Sequence, residues 1–369
     1  MKQLRTLTLF ILLALAVTIC GCQKAGIPEE TLPVKQGLME ENGFTYFYNE
    51  DGSQFTGGFK GISTADGIEY YYFLPNGRAF STGYKAVEIG GLSYGYFFEE
   101  DGKAFAGGLK EVTIGDNTYT YYFGADGRAV SSSWETIEDT QYYFDEKGRA
   151  VRNSFHTIDG NLYYFDDQFS PVTGGWFCLE EEQVWCHADE TGILATDTVI
   201  EGYKLNAEGK CSTKYRILEL VAQCTNDSMT QQEKIDAIYN WVLGNDMEYI
   251  RTYEHVSAGW KWKASWVDDM AASLLDKWGG NCFRYGALMG LMIREATGLP
   301  VSVAIGETLA VAGGYTPHCW AVVCQDDVWY VYDVELQKFA GCSLEDCYKV
   351  LSSDSYLHKR GKRTKLYTE

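Results

Sequence analysis

Two hydrophobic rhythms run along the chain, and one replaces the other near Lys214. The first is a recurring aromatic run followed by a turn. "YYFLPNGRAFSTGY" begins at Tyr71, "YFFEEDGKAFAGGL" at Tyr96, "YYFGADGRAVSSSW" at Tyr121 and "YYFDEKGRAVRNSF" at Tyr142. An earlier copy, "FYNEDGSQFTGGF", begins at Phe47, and a degenerate later one, "YYFDDQFSPVTGGW", at Tyr163. The aromatic run predicts a strand. The glycines at 52, 77, 102, 127 and 148 predict tight turns, with a short second strand after each. A lone hairpin cannot bury its aromatic face, so neighbours must stack, which predicts a β-hairpin repeat solenoid over 37–214.

The second rhythm is helical. Ile217, Leu218, Leu220 and Val221 mark one helix. Thr230 and Glu233 form a capping box ahead of Ile235, Ile238, Tyr239 and Val242. Ser265 and Asp268 open a third helix through Leu274 and Leu275, which Gly279-Gly280 is expected to break. From Cys282, apolar residues recur at 283, 287, 288, 291 and 292 up to Gly298, a predicted C-cap, with Pro300 beyond. Strands are expected at 301–305, 318–324 and 328–332. The region 215–369 therefore predicts an α+β domain.

Composition adds location. The net charge is −20, and residues 37–214 carry −17 of it. Such a surface repels phosphate backbones and argues against nucleic acid as a partner. At the start, Lys2 and Arg5 precede an apolar run, Leu7 to Ile19, too short to span a bilayer. Ile19-Cys20-Gly21-Cys22 resembles a bacterial lipobox. Residues 1–21 then read as a lipoprotein signal peptide, Cys22 as the lipidation site, and 22–36 as a linker. The expected location is the extracellular face of the membrane or the cell wall. Outside the cytosol disulfides are permitted, and the nine cysteines after Cys22 leave at least one thiol free in a monomer.

Cys282 is the thiol with chemical context. It sits at a predicted helix N-terminus, where the helix dipole is expected to lower a thiol pKa, and Gly279-Gly280 would let a substrate backbone approach. If the last hairpin turns on Gln325-Asp326, His318 lies opposite Asp333 on one face. Together they would be nucleophile, base and orienter. No metal-ligand spacing is evident: Cys178, Cys186 and His187 lack a second close pair. No cofactor is called for.

Both halves resemble known families. The repeats resemble cell-wall-binding repeats of the choline- and glucan-binding type. In choline-binding repeats, aromatic cages with a Gly-Trp pair hold a quaternary ammonium. The matching positions here are Phe59, Tyr84, Leu109, Trp134, Phe155 and Trp176, which makes choline a poor fit. A wall glycan, or a spacer role with no ligand, remain open. "GGNCFRYGALMGLMIREATGLP", "PHCW" and "VWYVYDVEL" resemble the motifs of the transglutaminase-like superfamily, over roughly 215–340. That resemblance implies a papain-like fold with Cys282 as nucleophile, His318 as general base and Asp333 as its orienter. It implies thiol acyl transfer on a protein or peptide substrate, to water or to an amine. The oxyanion would be held by the Cys282 N–H and a second donor, for which Trp260, Trp262 and Trp266 are candidates.

Overall fold

The structure is a computed structural model, described here for residues 34–250, 263–309, 314–337, 341–343 and 363–366. Cys22, Trp260 and Trp262 lie outside the described residues. The chain divides into two compact units, one extending to Gly107 with Ala125–Arg128, the other comprising Gly108–Gly124 and Ala129 onward.

Antiparallel hairpins make up the first unit and begin the second. In the first unit they are β1 (Gly37–Glu41) with β2 (Phe44–Tyr48), β3 (Gly58–Thr64) with β4 (Gly67–Phe73), and β5 (Gly83–Ile89) with β6 (Leu92–Phe98). In the second they are β7 (Gly108–Ile114) with β8 (Asn117–Phe123), β9 (Ser133–Ile137) with β10 (Thr140–Phe144), β11 (Ser154–Ile158) with β12 (Asn161–Phe165), β13 (Gly175–Leu179) with β14 (Val184–Ala188), and β15 (Thr198–Ile200) with β16 (Tyr203–Leu205).

The pairing differs from expectation in one respect. Each aromatic strand pairs with the strand before it, in all but the β13–β14 hairpin across a two-residue turn, such as Asn42-Gly43 with φ of 52° and 75°. Positive φ at both positions is the turn whose twist matches a hairpin. The segment after each repeat glycine makes only isolated bridges, such as Phe73 with Ala79. It is a stitch rather than a strand: Phe80 N–H donates to Tyr72 of its own repeat, whereas Ala79 N–H donates to Thr45 of the one before. Ala104 to Tyr70, and in the second unit Ala150 to Thr120 and Leu194 to Leu162, repeat the stitch. Stacking thus satisfies backbone groups as well as burying rings. Phe73, Phe98, Phe123, Phe144 and Phe165, each closing an aromatic strand, are fully buried.

The rest of the second unit is α+β. Helix α1 (Ser212–Cys224) starts two residues before Lys214. Helix α2 (Gln231–Gly244) carries the full Thr230–Glu233 capping box. After β17 (Glu248–Tyr249) comes α3 (Trp266–Lys277); its N-cap Ser265 does not cap by side chain but donates to Asp269 at 2.8 Å. The helix ends at Trp278, held in the left-handed region at φ 48°, not at the glycines. Gly279–Gly280 is instead a short strand, β18, parallel to β17. Helix α4 (Cys282–Thr297) ends in Gly298 at φ 67°, as expected.

A sheet completes the unit: β19 (Val301–Leu309), β20 (Tyr315–Gln325), β21 (Val328–Tyr332), β22 (Cys342–Ser343) and β23 (Arg363–Lys365), in spatial order β22-β21-β20-β19-β23. Helix α4 packs against β20 and β19. One continuous core joins Tyr203 and Leu205 of the last hairpin to the four helices and the sheet. Among the described residues no helix is long and apolar enough to cross a membrane.

Candidate active site

Three elements converge. Cys282 is the first residue of α4, preceded by Asn281 in extended conformation. Two glycines bring this helix onto the sheet. A Cβ at Gly286 would lie 2.9 Å from Cys319 Sγ and 3.2 Å from the Trp320 nitrogen, and one at Gly290 would lie 2.7 Å from Val303. At i and i+4 they form one bare stripe, so the helix axis can sit close to β20. Spacing reads these glycines only as apolar-helix filler, so sequence reasoning missed them.

His318 comes from β20 and Asp333 from the end of β21. The hairpin turns on Asp326-Asp327, with φ of 49° and 62°, not on Gln325-Asp326. Gln325 pairs Val328 and Ala321 pairs Tyr332. Moving the turn centre by one residue shifts the register by two, which preserves the face. His318 and Asp333 are therefore diagonal neighbours, and their Nε2 and Oδ2 atoms are 2.6 Å apart.

Asp333 is fixed on every side. Its Oδ1 accepts the backbone N–H of Glu335 and of Leu336, each at 3.1 Å. Its carbonyl accepts the Tyr239 hydroxyl of α2 at 3.2 Å. With Nε2 occupied, the other ring nitrogen, Nδ1, faces Glu335 Oε2 at 3.5 Å. The reactive atoms of Cys282, His318 and Glu335 all lie within 4.8 Å of one another. Glu335 is the residue that sequence reasoning missed entirely. It lies two past Asp333, in the turn whose N–H groups Asp333 Oδ1 accepts, where no strand or helix periodicity marks it.

Burial dominates the electrostatics. Cys282, His318 and Asp333 are all nearly inaccessible. For His318, burial opposes the charge, yet the Asp333 carboxylate and the thiol push its pKa up to about 10. For Cys282, burial raises the thiol, and His318 pulls against that without reversing it. The expectation of a lowered thiol pKa at the helix end is thus overturned: withdrawing the thiolate from water costs more than the helix terminus returns. The thiol reaches its charged form only together with an imidazolium beside it.

Gly279 and Gly280 have a reason within the chain itself. A Cβ at Gly279 would meet the Glu248 carbonyl at 2.6 Å, and one at Gly280 the Arg284 stem at 2.5 Å. They make room for the chain's own backbone and for a buried arginine. Trp266 does not serve the oxyanion: its indole N–H donates to Thr364 Oγ1 at 2.7 Å. None of Cys178, Cys186, Cys211, Cys224, Cys282, Cys319 and Cys324 is in a disulfide.

The aromatic clefts of the repeats hold the chain's own side chains. The Lys60 ammonium lies 4.4 Å from the Phe47 ring and 4.7 Å from Phe55. Lys85 lies 4.4 Å from Tyr72 and 5.2 Å from Phe80. Lys214 of α1 sits among Trp176, Trp185 and Tyr203 at 4.9, 5.4 and 4.8 Å, with Glu295 at 2.8 Å. Trp134 packs edge-on against Tyr143 and Tyr163. In the second unit a groove of about 670 Å³ is lined by Tyr119, Arg149, Arg152, His156 and Phe169 among others.

Comparison with known proteins agrees with this division. The family model described as choline-binding repeat matches residues 130–168, and that of the transglutaminase-like superfamily matches residues 218–334. No curated protein matches the chain. Among solved structures, choline binding protein F from Streptococcus pneumoniae is 22% identical, with 48% of this chain and 57% of that one covered and a TM-score of 0.35. The choline-binding domain of CbpL from Streptococcus pneumoniae is 17% identical over 48% of this chain and 97% of that one, with a TM-score of 0.28. An alternansucrase in complex with isomaltononaose is 24% identical over 48% and 13%, with a TM-score of 0.27. The chain thus spans less than two thirds of the length of choline binding protein F. Residues 218–334, which supply the Cys282, His318 and Asp333 cluster, match the transglutaminase-like superfamily model, and the hairpins at 130–168 ahead of them match the choline-binding repeat.

Proposed function

We propose that this chain is an exported surface lipoprotein, anchored through Cys22, whose domain at 215–369 performs thiol acyl transfer while the repeats at 37–214 hold it at the cell wall. The observation that carries the catalytic reading is His318, held by Asp333 through Nε2 with Nδ1 left toward Cys282. His318 holds the Cys282 proton, as an imidazolium beside the thiolate, when the sulfur attacks an amide carbonyl. The imidazolium, stabilised by Asp333, then protonates the leaving amine. Water or a second amine attacks the thioester, His318 accepts the incoming proton, and the thiol is restored. The Cys282 backbone N–H, at the first position of α4, would hold the oxyanion together with a second donor. Activity profiling with amine and glutamine-peptide probes tests this on wild type and Cys282→Ala. Equal labelling of the two would sink it.

For the repeats, the lysines in the aromatic clefts weigh against choline. An alkylammonium would have to displace a tethered one. The Arg- and aromatic-lined groove favours a wall glycan or other wall polymer. The second reading, a spacer without ligand, draws on the same filled clefts. Retention of the chain on purified cell walls supports the first; free passage supports the second.

A further inference from the structure

Cys282, His318 and Glu335 offer sulfur, nitrogen and oxygen from three different elements, α4, β20 and the loop after β21. Their ligand atoms lie within 4.8 Å of one another, and His318 Nδ1 and Glu335 Oε2 are 3.5 Å apart. Bonds of about 2.1 Å place tetrahedral neighbours about 3.4 Å apart, so that edge needs almost no movement. The His318 ring is already oriented as in a carboxylate–histidine–metal arrangement, with Nε2 on Asp333 at 2.6 Å and Nδ1 inward. Asp333 is committed to His318 and two backbone N–H groups, so it acts behind the ligand set. The Glu335 side chain is 31% exposed, against 2% for His318, so the opening to solvent lies on its side.

We propose that Cys282, His318 and Glu335 form a three-ligand site for a borderline-soft divalent cation of the zinc class, which closes the nucleophile reversibly. A thiolate and an imidazole select zinc or cobalt over calcium or magnesium, which prefer all-oxygen sets. Binding forms one metal–sulfur, one metal–nitrogen and one metal–oxygen bond. The Cys282 thiol proton and, where present, the Nδ1 proton pass to solvent, and no electron is transferred. Water holds the fourth position. With its sulfur lone pair on the metal, Cys282 cannot attack a carbonyl. That inhibitory consequence rests on the acyl-transfer reading; the binding itself does not.

The test uses the reduced full chain. Titration with cobalt(II) chloride should give a near-ultraviolet thiolate-to-cobalt charge-transfer band that saturates at one metal per chain and is displaced by zinc chloride. Cys282→Ser should lose the band, and Glu335→Gln should weaken binding about tenfold or more. Because a variant can misfold, wild-type Cys282 is also alkylated with iodoacetamide with and without zinc chloride and mapped by peptide mass. Zinc should slow it at least tenfold, with reversal by a chelator. A band that survives Cys282→Ser, or Cys282 alkylation indifferent to zinc, overturns the proposal. Zinc protection in a chain that transfers no acyl group would leave the metal site standing and remove the catalytic reading instead.

Discussion

His318 carries its positive charge where water hardly reaches. Burial alone would favour the neutral ring, and the Asp333 carboxylate at 2.6 Å reverses that. Replacing His318 by Ala should lower Cys282 acylation about 10²–10⁴-fold, the usual span for a positioned proton carrier. An active-ester probe read by mass spectrometry measures it, and an unchanged rate would remove His318 from the mechanism. The raised pKa also predicts a pH signature. The folded value of about 10 exceeds the unfolded value of about 6.5. The stabilisation is therefore complete below about pH 6.5 and disappears as pH rises through 10. The Tm difference between wild type and His318→Gln should shrink between those limits. A difference that grows with pH would contradict the assignment.

At the scale of elements, the site depends on how closely α4 lies on β20. Gly286→Ala would place a methyl 2.9 Å from Cys319 Sγ and 3.2 Å from a backbone nitrogen that cannot yield easily. The expected cost is about 1–3 kcal/mol, as for overpacking generally. The Tm should fall, and acylation should fall beyond what lost stability explains, because Cys282 moves away from His318. A stable, fully active Gly286→Ala would show that the bare stripe does not set the approach. Thr230→Ala is the contrasting case. It removes a capping box remote from the thiol, at about 1 kcal/mol, and should lower Tm in thermal denaturation with little effect on the rate of the folded protein.

At the scale of the whole molecule, the second unit ties its last hairpins to its helices through one buried lysine. Lys214 and Glu295 side chains are 6% and 12% exposed, and three aromatic rings enclose the ammonium. Lys214→Met should cost about 2–3 kcal/mol, somewhat below a fully broken buried pair, because Arg294 still neutralises Glu295. Denaturant unfolding should show the loss; no loss would mean that the cage is only a packing coincidence. The same ion pair helps fix the junction that sequence placed near residue 214, because the first helix begins at Ser212 with Lys214 facing inward.

The parts legible in the sequence are those set by neighbours within a few residues. Aromatic runs mark the strands of the repeats, and the Thr230 capping box and Gly298 mark helix ends, because each is a local backbone requirement. The order of Cys282, His318 and Asp333 was readable for the same reason, as three short motifs. Only the tertiary structure decided the rest. The Asp326-Asp327 turn chose which residues pair, and left Glu335 facing the ring of His318. The packing of α4 buried Cys282 and raised its thiol, where helix position alone argues for lowering it. Stacking turned the segments after the repeat glycines into stitches between repeats. Each of these depends on desolvation or on contacts between residues far apart in the chain, and a local pattern carries no term for either.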